Sequence, residues 1–335
     1  MSLSINTNNS AMVALESLNA TTSSLDATEN TVSTGQKVAT AADGPASYAI
    51  AQQMNGNIAG LSAVSDGLSF AASTLSTTAT ATSNILSTLQ LLQTAVTGLG
   101  DNQGDPTALT QTSDEINGYL DQINTFARNA TVNGVNLLTT QSDSNNANGG
   151  TGTSGPVTAS SMIYVTSLQG STNTITNVTN GTAGVGSVIK TLVGTASSDT
   201  TTLTDVLGLS SKMTAGESFV GGSGTGINAF VSGTGTATSL SGTSLPALIL
   251  IVQNAITAMT DAASTLATNA KVVDGMSSYS SNLSDSLTSG VGALTDADMA
   301  AESAKLTSLQ TKQQLAISSL SVAKSSSQNI LSLFR

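Results

Sequence analysis

Residues 305–324 read KLTSLQTKQQLAISSLSVAK. Apolar or small residues recur in this stretch at steps of three and four, the spacing of one face of a helix that packs in a coiled coil. The stripe runs on to the end of the chain through Leu306, Leu309, Gln313, Ala316, Leu320, Ala323, Ser327, Ile330 and Phe334. It predicts a long terminal helix that needs a helical partner.

A similar stripe lies near the N-terminus and predicts a second terminal helix. Its positions are Ala11, Leu15, Leu18, Thr22, Leu25, Glu29 and Val32. Each buried Leu or Val contributes roughly 1.5–3 kcal/mol, whereas ordering a residue's backbone costs on the order of 1–2 kcal/mol. We therefore expect the terminal helices to be marginal in a single chain and to order when other copies supply neighbours.

The longest helical pattern covers residues 46–99 and predicts a rod roughly 80 Å long at ~1.5 Å per residue. Its seam steps by three and four without a break. The side chains that we expect to pack inside the rod are Leu61, Leu68, Leu75, Ile85, Leu89 and Leu92. Helices predicted at 106–130 and 245–289 can satisfy this face within the same chain. Asp105 and Pro106 start the first of these as N-cap and N1 residues.

Other local signals predict where helices begin and end. Gly35 is a candidate C′ residue after the N-terminal helix, and Pro45 is a candidate N1 residue of the rod helix. Asn133-Gly134 predicts a turn, and Gly290-Val-Gly292 predicts a break between the last two helices.

The middle of the chain, residues 141–244, has a different composition. It holds 18 of the 31 glycines and only six charged residues. Short β-prone pieces lie between Gly, Thr and Ser turns: Met162–Leu168, Ser187–Val193, Phe219–Val220 and Ala229–Val231. Segments 135–138 and 162–165 are candidate arms of one hairpin or of a small sheet. The pattern predicts an inserted, mostly β domain, or in part a flexible linker.

Composition argues against several function classes. The net charge is −11, and no cluster of Lys and Arg could neutralise a phosphate backbone, which argues against nucleic-acid binding. No apolar run approaches the length that spans a bilayer, so no membrane insertion is expected. The first eight residues lack the basic and apolar regions of a secretory signal peptide. The protein is expected to be intracellular or exported by a route that reads no such signal.

The sequence offers few of the side chains and motifs that catalysis requires. The chain has no His and no Cys, and no Gly-x-Ser-x-Gly elbow accompanies its many serines. The densest acidic cluster is Asp296, Asp298 and Glu302, which we interpret as acids in the first turn of a helix rather than as a metal site. No enzyme activity, metal or cofactor is predicted.

Short blocks at both ends are similar to the bacterial flagellin family, and most closely resemble alphaproteobacterial flagellins. The N-terminal blocks are Ser4-Ile-Asn-Thr-Asn8, Ser33-Thr-Gly-Gln-Lys37, Ala41-Ala-Asp43, Ala49-Ile50 and Asn133-Gly-Val-Asn-Leu-Leu138. The C-terminal blocks are Asp296-Ala-Asp298, Glu302-Ser303, Gln313-Gln314 and Asn329-Ile-Leu-Ser-Leu-Phe-Arg335. The resemblance implies a structural subunit that self-assembles into the extracellular helical filament of the flagellum, the propeller for motility.

The resemblance also implies a mainly α architecture in three parts. Residues 1–40 and 291–335 would form an inner terminal coiled coil, 41–140 and 245–290 a helical-bundle rod, and 141–244 a variable, β-rich, solvent-facing insert. The side chains implied in self-assembly of the inner coiled coil are Leu15, Leu18, Leu25, Val32, Leu306, Leu309, Leu320, Ile330, Leu333, Phe334 and Arg335.

The family further implies partners and a route of export. The subunit would form a homopolymer of many copies and meet a hook-filament junction protein, a filament cap and an export chaperone. Type III export of an unfolded chain needs no cleaved signal, and the absence of Cys is compatible with it because a disulfide would obstruct passage.

The chain departs from the family at Thr31, where Arg is common, at Asp43-Gly-Pro-Ala-Ser47, where Asp-Asp before Ala-Ala-Gly is common, and most clearly in one segment of the rod helix. Many flagellins carry Leu-Gln-Arg-Val-Arg-Glu, which innate immune receptors recognise. Here the segment is Leu89, Gln90, Leu91, Leu92, Gln93 and Thr94. Both Arg and the Glu are replaced, so we predict weak or absent stimulation of the Toll-like flagellin receptor.

Two alternatives stay open on the sequence. A hook-filament junction protein shares both ends of the fold but is present in few copies. An exported adhesin would bind surfaces through the 141–244 insert. A flagellin whose insert is a metalloprotease would need His-Glu-x-x-His, and this chain has no His.

Overall fold

The computed structural model describes residues 8–102, 104–139, 143, 157–177, 202–211, 227–232, 239–240 and 244–333. The structure is mainly helical, as predicted. The helices are α1 (Asn9–Thr34), α2 (Pro45–Gly98), α3 (Pro106–Asn129), α4 (Leu203–Val206), α5 (Leu245–Thr295) and α6 (Met299–Leu333). The strands are β1 (Thr131–Val132), β2 (Val135–Asn136), β3 (Ser161–Val165), β4 (Thr172–Thr176), β5 (Ser210–Ser211), β6 (Ile227–Asn228), β7 (Val231–Ser232) and β8 (Ser239–Leu240).

The predicted helix ends are confirmed at three places. Gly35 follows α1 with φ 71°, and its N–H donates to the Thr31 carbonyl at 2.9 Å, which closes the last turn. Pro45 is the first residue of α2. The Asp105 carboxylate accepts from the Thr107 N–H at 2.9 Å and caps α3, with Pro106 directly after it.

The predicted break at Gly290-Val-Gly292 is wrong, because α5 continues through both glycines to Thr295. A glycine inside a helix costs only about 1 kcal/mol, and Gly290 lies against another part of the fold. A Cβ there would approach the Met54 sulfur at 3.5 Å. This is an ordinary contact distance, so Gly290 is accommodated within α5 at a modest cost and does not end the helix.

The predicted hairpin between residues 135–138 and 162–165 is also wrong. β3 pairs antiparallel with β4. Val135 pairs with Val132 of β1 and makes an isolated parallel bridge to Ala159, which precedes β3. β1 and β2 form their own hairpin around Asn133 (φ 46°) and Gly134 (φ 83°), which confirms the Asn-Gly turn. The expected pieces Ser187–Val193 and Phe219–Val220 lie outside the described residues.

The chain divides into two compact units. The terminal unit is Met1–Gly60 with Asn282–Arg335, and the central unit is Leu61–Ser281. The terminal unit holds α1, α6, the first turns of α2 and the last turns of α5. The boundaries lie about 10–20 residues inside the predicted rod domain.

The central unit contains a continuous apolar core. The face of α2 from Val64 to Val96, together with Leu99 just after the helix, packs with one face of α3 and with the half of α5 that ends near Val273. Several parts of the predicted insert belong to the same core: Met162, Tyr164, Ile175, Leu203, Val206, Leu207, Leu209, Phe230 and Val231. These residues are buried, so these parts of the insert do not face solvent.

Two helices, α2 and α5, are long and apolar enough to cross a membrane by length and composition alone. The expectation that no run reaches that length is therefore not met. Thr, Ser and Ala lengthen these uncharged stretches, and both helices contribute side chains to the central core. Core helices of soluble proteins meet the same criterion.

Candidate assembly surfaces

The two terminal helices lie antiparallel in the terminal unit. At one end the Asn8 side-chain amide donates to the Ala323 carbonyl at 2.9 Å, near the C-terminal part of α6. At the other end the Ala297 N–H donates to the Gly35 carbonyl at 3.0 Å, just before α6 begins. The Lys37 N–H donates to the Thr295 carbonyl at 2.7 Å and completes this joint. The helices are thus paired along their length, as the matching stripes predict.

The stripe of α6 forms the inner face of this pair. Leu309 is buried, and the other stripe positions that the structure describes are half-buried: Leu306, Gln313, Ala316, Leu320 and Ala323. On α1, Leu25 is buried and Leu18 and Val32 are half-buried.

Two expected positions on α1 do not lie on that face. Leu15 is 48% exposed and Glu29 is exposed, whereas Ala14 is half-buried and Thr28 is buried. Ala11, Leu18, Leu25 and Val32 stay on the inner face at steps of seven residues, and the intermediate inward position lies three residues after each of Ala11 and Leu25 rather than four. The assignment of Leu15 to the inner seam of a single chain is therefore corrected.

The outer faces of α1 and α6 expose large apolar side chains. The exposed fraction is 64% for Met12, 60% for Val13, 62% for Leu315, 54% for Ile317 and 69% for Val322. Among the apolar residues described in this unit, only four are buried: Leu25, Val38, Ala51 and Leu309. The pair thus leaves much apolar surface uncovered, a feature typical of interaction surfaces.

The last predicted assembly residues fall at the edge of the described chain. Ile330 and Leu333 lie in the last turns of α6, where the structure describes the helix but not the surroundings of the side chains. Phe334 and Arg335 lie outside the described residues.

The six side chains expected to pack within the rod all lie on the inner face of α2. Leu61, Leu68, Leu75, Ile85, Leu89 and Leu92 are each buried. In the segment 89–94 the pattern alternates. Leu89 and Leu92 face the core, Gln90 and Thr94 are exposed, Gln93 is half-buried, and Leu91 is 52% exposed. A polar outer surface therefore carries one uncovered leucine.

The acidic residues near 296–302 act as helix-end groups. The Asp298 carboxylate accepts from the Ala300 and Ala301 N–H groups at 3.0 and 3.2 Å, which caps α6. Glu302 pairs with Lys305 at 3.1 Å. Across the described residues no three His, Cys, Asp or Glu side chains lie together as metal ligands would.

A second capped turn lies between α1 and α2. The Asp43 carboxylate accepts from the Thr40 N–H at 2.8 Å and from the Thr40 hydroxyl at 2.9 Å. These hydrogen bonds, the backbone one first, stabilise the charged form and lower the pKa of Asp43. These hydrogen bonds stabilise the turn that leads to Pro45, the first residue of α2.

The two ends of the chain match two family models. The bacterial flagellin N-terminal helical region matches residues 5–143, and the bacterial flagellin C-terminal helical region matches residues 249–334. The matched ranges contain α1, α2, α3 and α6 and nearly all of α5. The exposed terminal pair and the rod face therefore lie within recognised family regions.

Several curated proteins are similar over nearly the full length. Flagellin FljK of Caulobacter vibrioides is 30% identical over 332 residues, covering 99% of this chain and 98% of the relative. Flagellin C of Rhizobium meliloti is 31% identical over 342 residues, covering 99% of each. Flagellin A of the same species is 30% identical over 402 residues, covering 99% of this chain and all of the relative.

Proposed function

Because this chain belongs to the bacterial flagellin family and is a structural subunit of the flagellar filament, we propose that its terminal helix pair supplies the main contacts between copies. The observation that carries the proposal is the exposed apolar face of that pair. Met12, Val13, Leu315, Ile317 and Val322 are each more than half exposed in the single chain. In a polymer, neighbouring copies would cover them.

We propose different roles for the predicted parts of the chain. Residues 1–40 and 291–335 serve as the self-assembling inner coiled coil, with residues 41–140 and 245–290 as the rod. Leu18, Leu25, Leu309 and Leu320 hold the pair together, and Leu15 contacts a neighbouring copy because it faces outward. Phe334 and Arg335 are proposed contacts on the resemblance alone.

We also propose the finer biology that the family implies. The subunit carries no catalysis, leaves the cell unfolded by the flagellar export route without a cleaved signal, and meets a chaperone, a cap and a hook-filament junction protein. The family matches support a filament subunit rather than the junction protein or the adhesin.

Filament growth from the purified protein tests the proposal. We expect salt-induced assembly of the full chain into long filaments, followed by light scattering and electron microscopy. Subunits that stay monomeric under all such conditions, or close into short rings, would contradict it. A junction protein would not form long filaments by itself.

Two matched variants localise the contact. Val322→Asp places a charge on the exposed apolar face of α6, and Ser321→Asp places the same charge on the adjacent exposed residue. We expect the first to slow or abolish assembly and the second to do much less, since only the first removes apolar surface. Equal assembly of both variants would overturn the assignment of this face.

A separate proposal concerns segment 89–94. We propose that this flagellin is a weak ligand of the Toll-like flagellin receptor because the charged residues of the family segment are missing. Restoring them with Leu91→Arg, Gln93→Arg and Thr94→Glu should raise signalling in a reporter cell line. All three side chains lie at least partly at the surface. Strong signalling by the unaltered monomer would contradict the proposal.

A further inference from the structure

Helix α3 carries one stripe of polar side chains that point at the insert. Ser113, Asn117, Asn124 and Arg128 are spaced by four, seven and four residues, which places them on a single face of the helix. The apolar residues Ile116, Leu120 and Ile123 beside them are fully buried. The polar stripe therefore lies within a covered face, where each polar group needs a partner.

The partners are far away in the sequence. The Asn228 side-chain amide donates to the side-chain oxygen Oδ1 of Asn117 at 2.8 Å and to the Ser113 hydroxyl at 3.2 Å. The oxygen of the same Asn228 side chain accepts from the Phe230 and Val231 N–H groups, which fixes the local turn. One asparagine thus positions both the insert backbone and its contact with α3.

A second contact lies two turns further along α3. The Asn124 amide donates to the Thr204 hydroxyl at 3.0 Å, and the Thr204 N–H donates to the Asn124 oxygen at 3.1 Å. Both residues are fully buried. This reciprocal pair fixes α4 against α3 in one register, because an amide side chain offers one donor side and one acceptor side.

A third contact ends the stripe. The Arg128 guanidinium contacts the Asp143 carboxylate at 2.9 Å, and the Asp143 side chain is fully buried. Asp143 also accepts from the Thr139 hydroxyl at 2.6 Å. A buried carboxylate is costly without such partners, so this pair strongly selects its geometry.

Apolar side chains fill the space between these contacts. Leu203, Leu207, Leu209 and Phe230 from the insert are fully buried and belong to the same core as Ile116 and its neighbours on α3. The polar stripe sets the register, and the apolar side chains supply the burial. An outer domain attached only by a linker would show neither feature.

We propose that the stripe Ser113, Asn117, Asn124 and Arg128 is a recognition surface for the chain's own insert. The docked segments 202–211 and 227–232 are then a required part of the central core. The insert and the helices then fold as one cooperative unit. Sequence changes in these two segments are restricted by α3, whatever the insert exposes to solvent elsewhere.

Hydrogen exchange of the full-length monomer tests this proposal, with mass spectrometry of peptides from α2, α3 and the two docked segments. We expect Asn124→Ala to reduce protection by about tenfold, the usual consequence of leaving a buried polar group unpaired. The loss should be similar in α2, α3 and the docked segments. The control Asn84→Ala removes an exposed asparagine of α2 and should change nothing.

A double-mutant cycle of Asn117→Ala and Asn228→Ala measures the contact itself. The double variant should lose clearly less protection than the product of the single effects, because both remove the same hydrogen bond. If Asn228→Ala does not yield folded monomer, Ser113→Ala with Asn117→Ala provides the milder pair of variants for the same helix face. The measurement needs no filament, so its outcome is independent of the assembly proposal.

Faster exchange confined to the docked segments, with α2 and α3 unchanged, would show that the insert opens by itself and would overturn the proposal. Fully additive effects of Asn117→Ala and Asn228→Ala would overturn the assignment of the recognition surface.

Discussion

The terminal and central units are built from the same residue types but differ in what covers them. In the central unit the stripe of α2 is buried by α3, α5 and parts of the insert. In the terminal unit each helix has one long partner, and large apolar side chains such as Val322 stay exposed. An apolar stripe thus shows that a helix face needs a partner. Whether one chain can cover that face depends on how many other helices of the same chain pack against it.

The consequence is a difference in where stability originates. Burial of the many Leu, Ile and Val side chains of the central core contributes stability within one chain. The terminal pair buries little, so we expect its ordering to depend on contacts that assembly provides. Variants that act on one unit and not on the other test this difference.

The largest effect is expected from removing residues 326–335. We expect assembly to be abolished, because the C-terminal part of the α6 stripe lies in this stretch, while the central unit stays folded. Sedimentation of assembled protein and far-UV circular dichroism of the monomer measure the two results. A truncated chain that still forms filaments would remove the distinction between the units.

The next effect compares one leucine from each unit. Leu92→Ala opens a cavity in the central core and should lower the free energy of unfolding of the monomer by about 2–5 kcal/mol. Leu15→Ala removes an exposed side chain and should change it by less than about 0.5 kcal/mol. Urea unfolding of both monomers gives the values. Equal losses would show that the terminal unit is as tightly packed as the central one.

Sequence periodicity was sufficient for the long helices because their signal repeats over many turns. The α2 stripe is buried at every position from Leu61 to Val96. Caps were equally readable, since Asp105, Pro106 and Gly35 act through local geometry.

Features that depend on contacts between residues far apart in the sequence could not be predicted from it. The break expected at Gly290 is absent, and α5 continues past it to Thr295 with Met54 beside it. The strand pairing of Met162 was misassigned, since several short β-prone pieces offered equivalent partners. The partners of Asn117 and Asn124 could not be predicted from the sequence. The one available sign of a polar contact was that two asparagines share a helix face with buried leucines.

A smaller effect is expected from the helix caps of the two units. Asp105→Ala removes the cap of α3 and should lower the stability of the monomer by about 1 kcal/mol. Asp298→Ala removes the matching cap of α6 but should leave the main unfolding transition of the monomer unchanged, because the terminal unit contributes little to it. Asp101→Ala removes an exposed acid just before α3 and controls for charge. A lower midpoint for Asp298→Ala would place the terminal helices inside the cooperative fold of the single chain.

The smallest effect concerns the turn at Thr40 and Asp43 in the terminal unit. Its hydrogen bonds lower the pKa of Asp43 in the folded chain, whereas the unfolded value is about 4. The contribution of this turn is therefore fully present above the unfolded pKa and is lost as the pH falls through the lower, folded value. We expect the NMR signal of the Thr40 amide to stay constant from neutral pH down to about 5 and to shift below about 4. Asp43→Ala should abolish that acid-dependent shift, and an unchanged shift in this variant would assign the titration to another group. Asp43 is exposed. The turn therefore orders the backbone just before α2 but adds no buried apolar surface to the terminal unit.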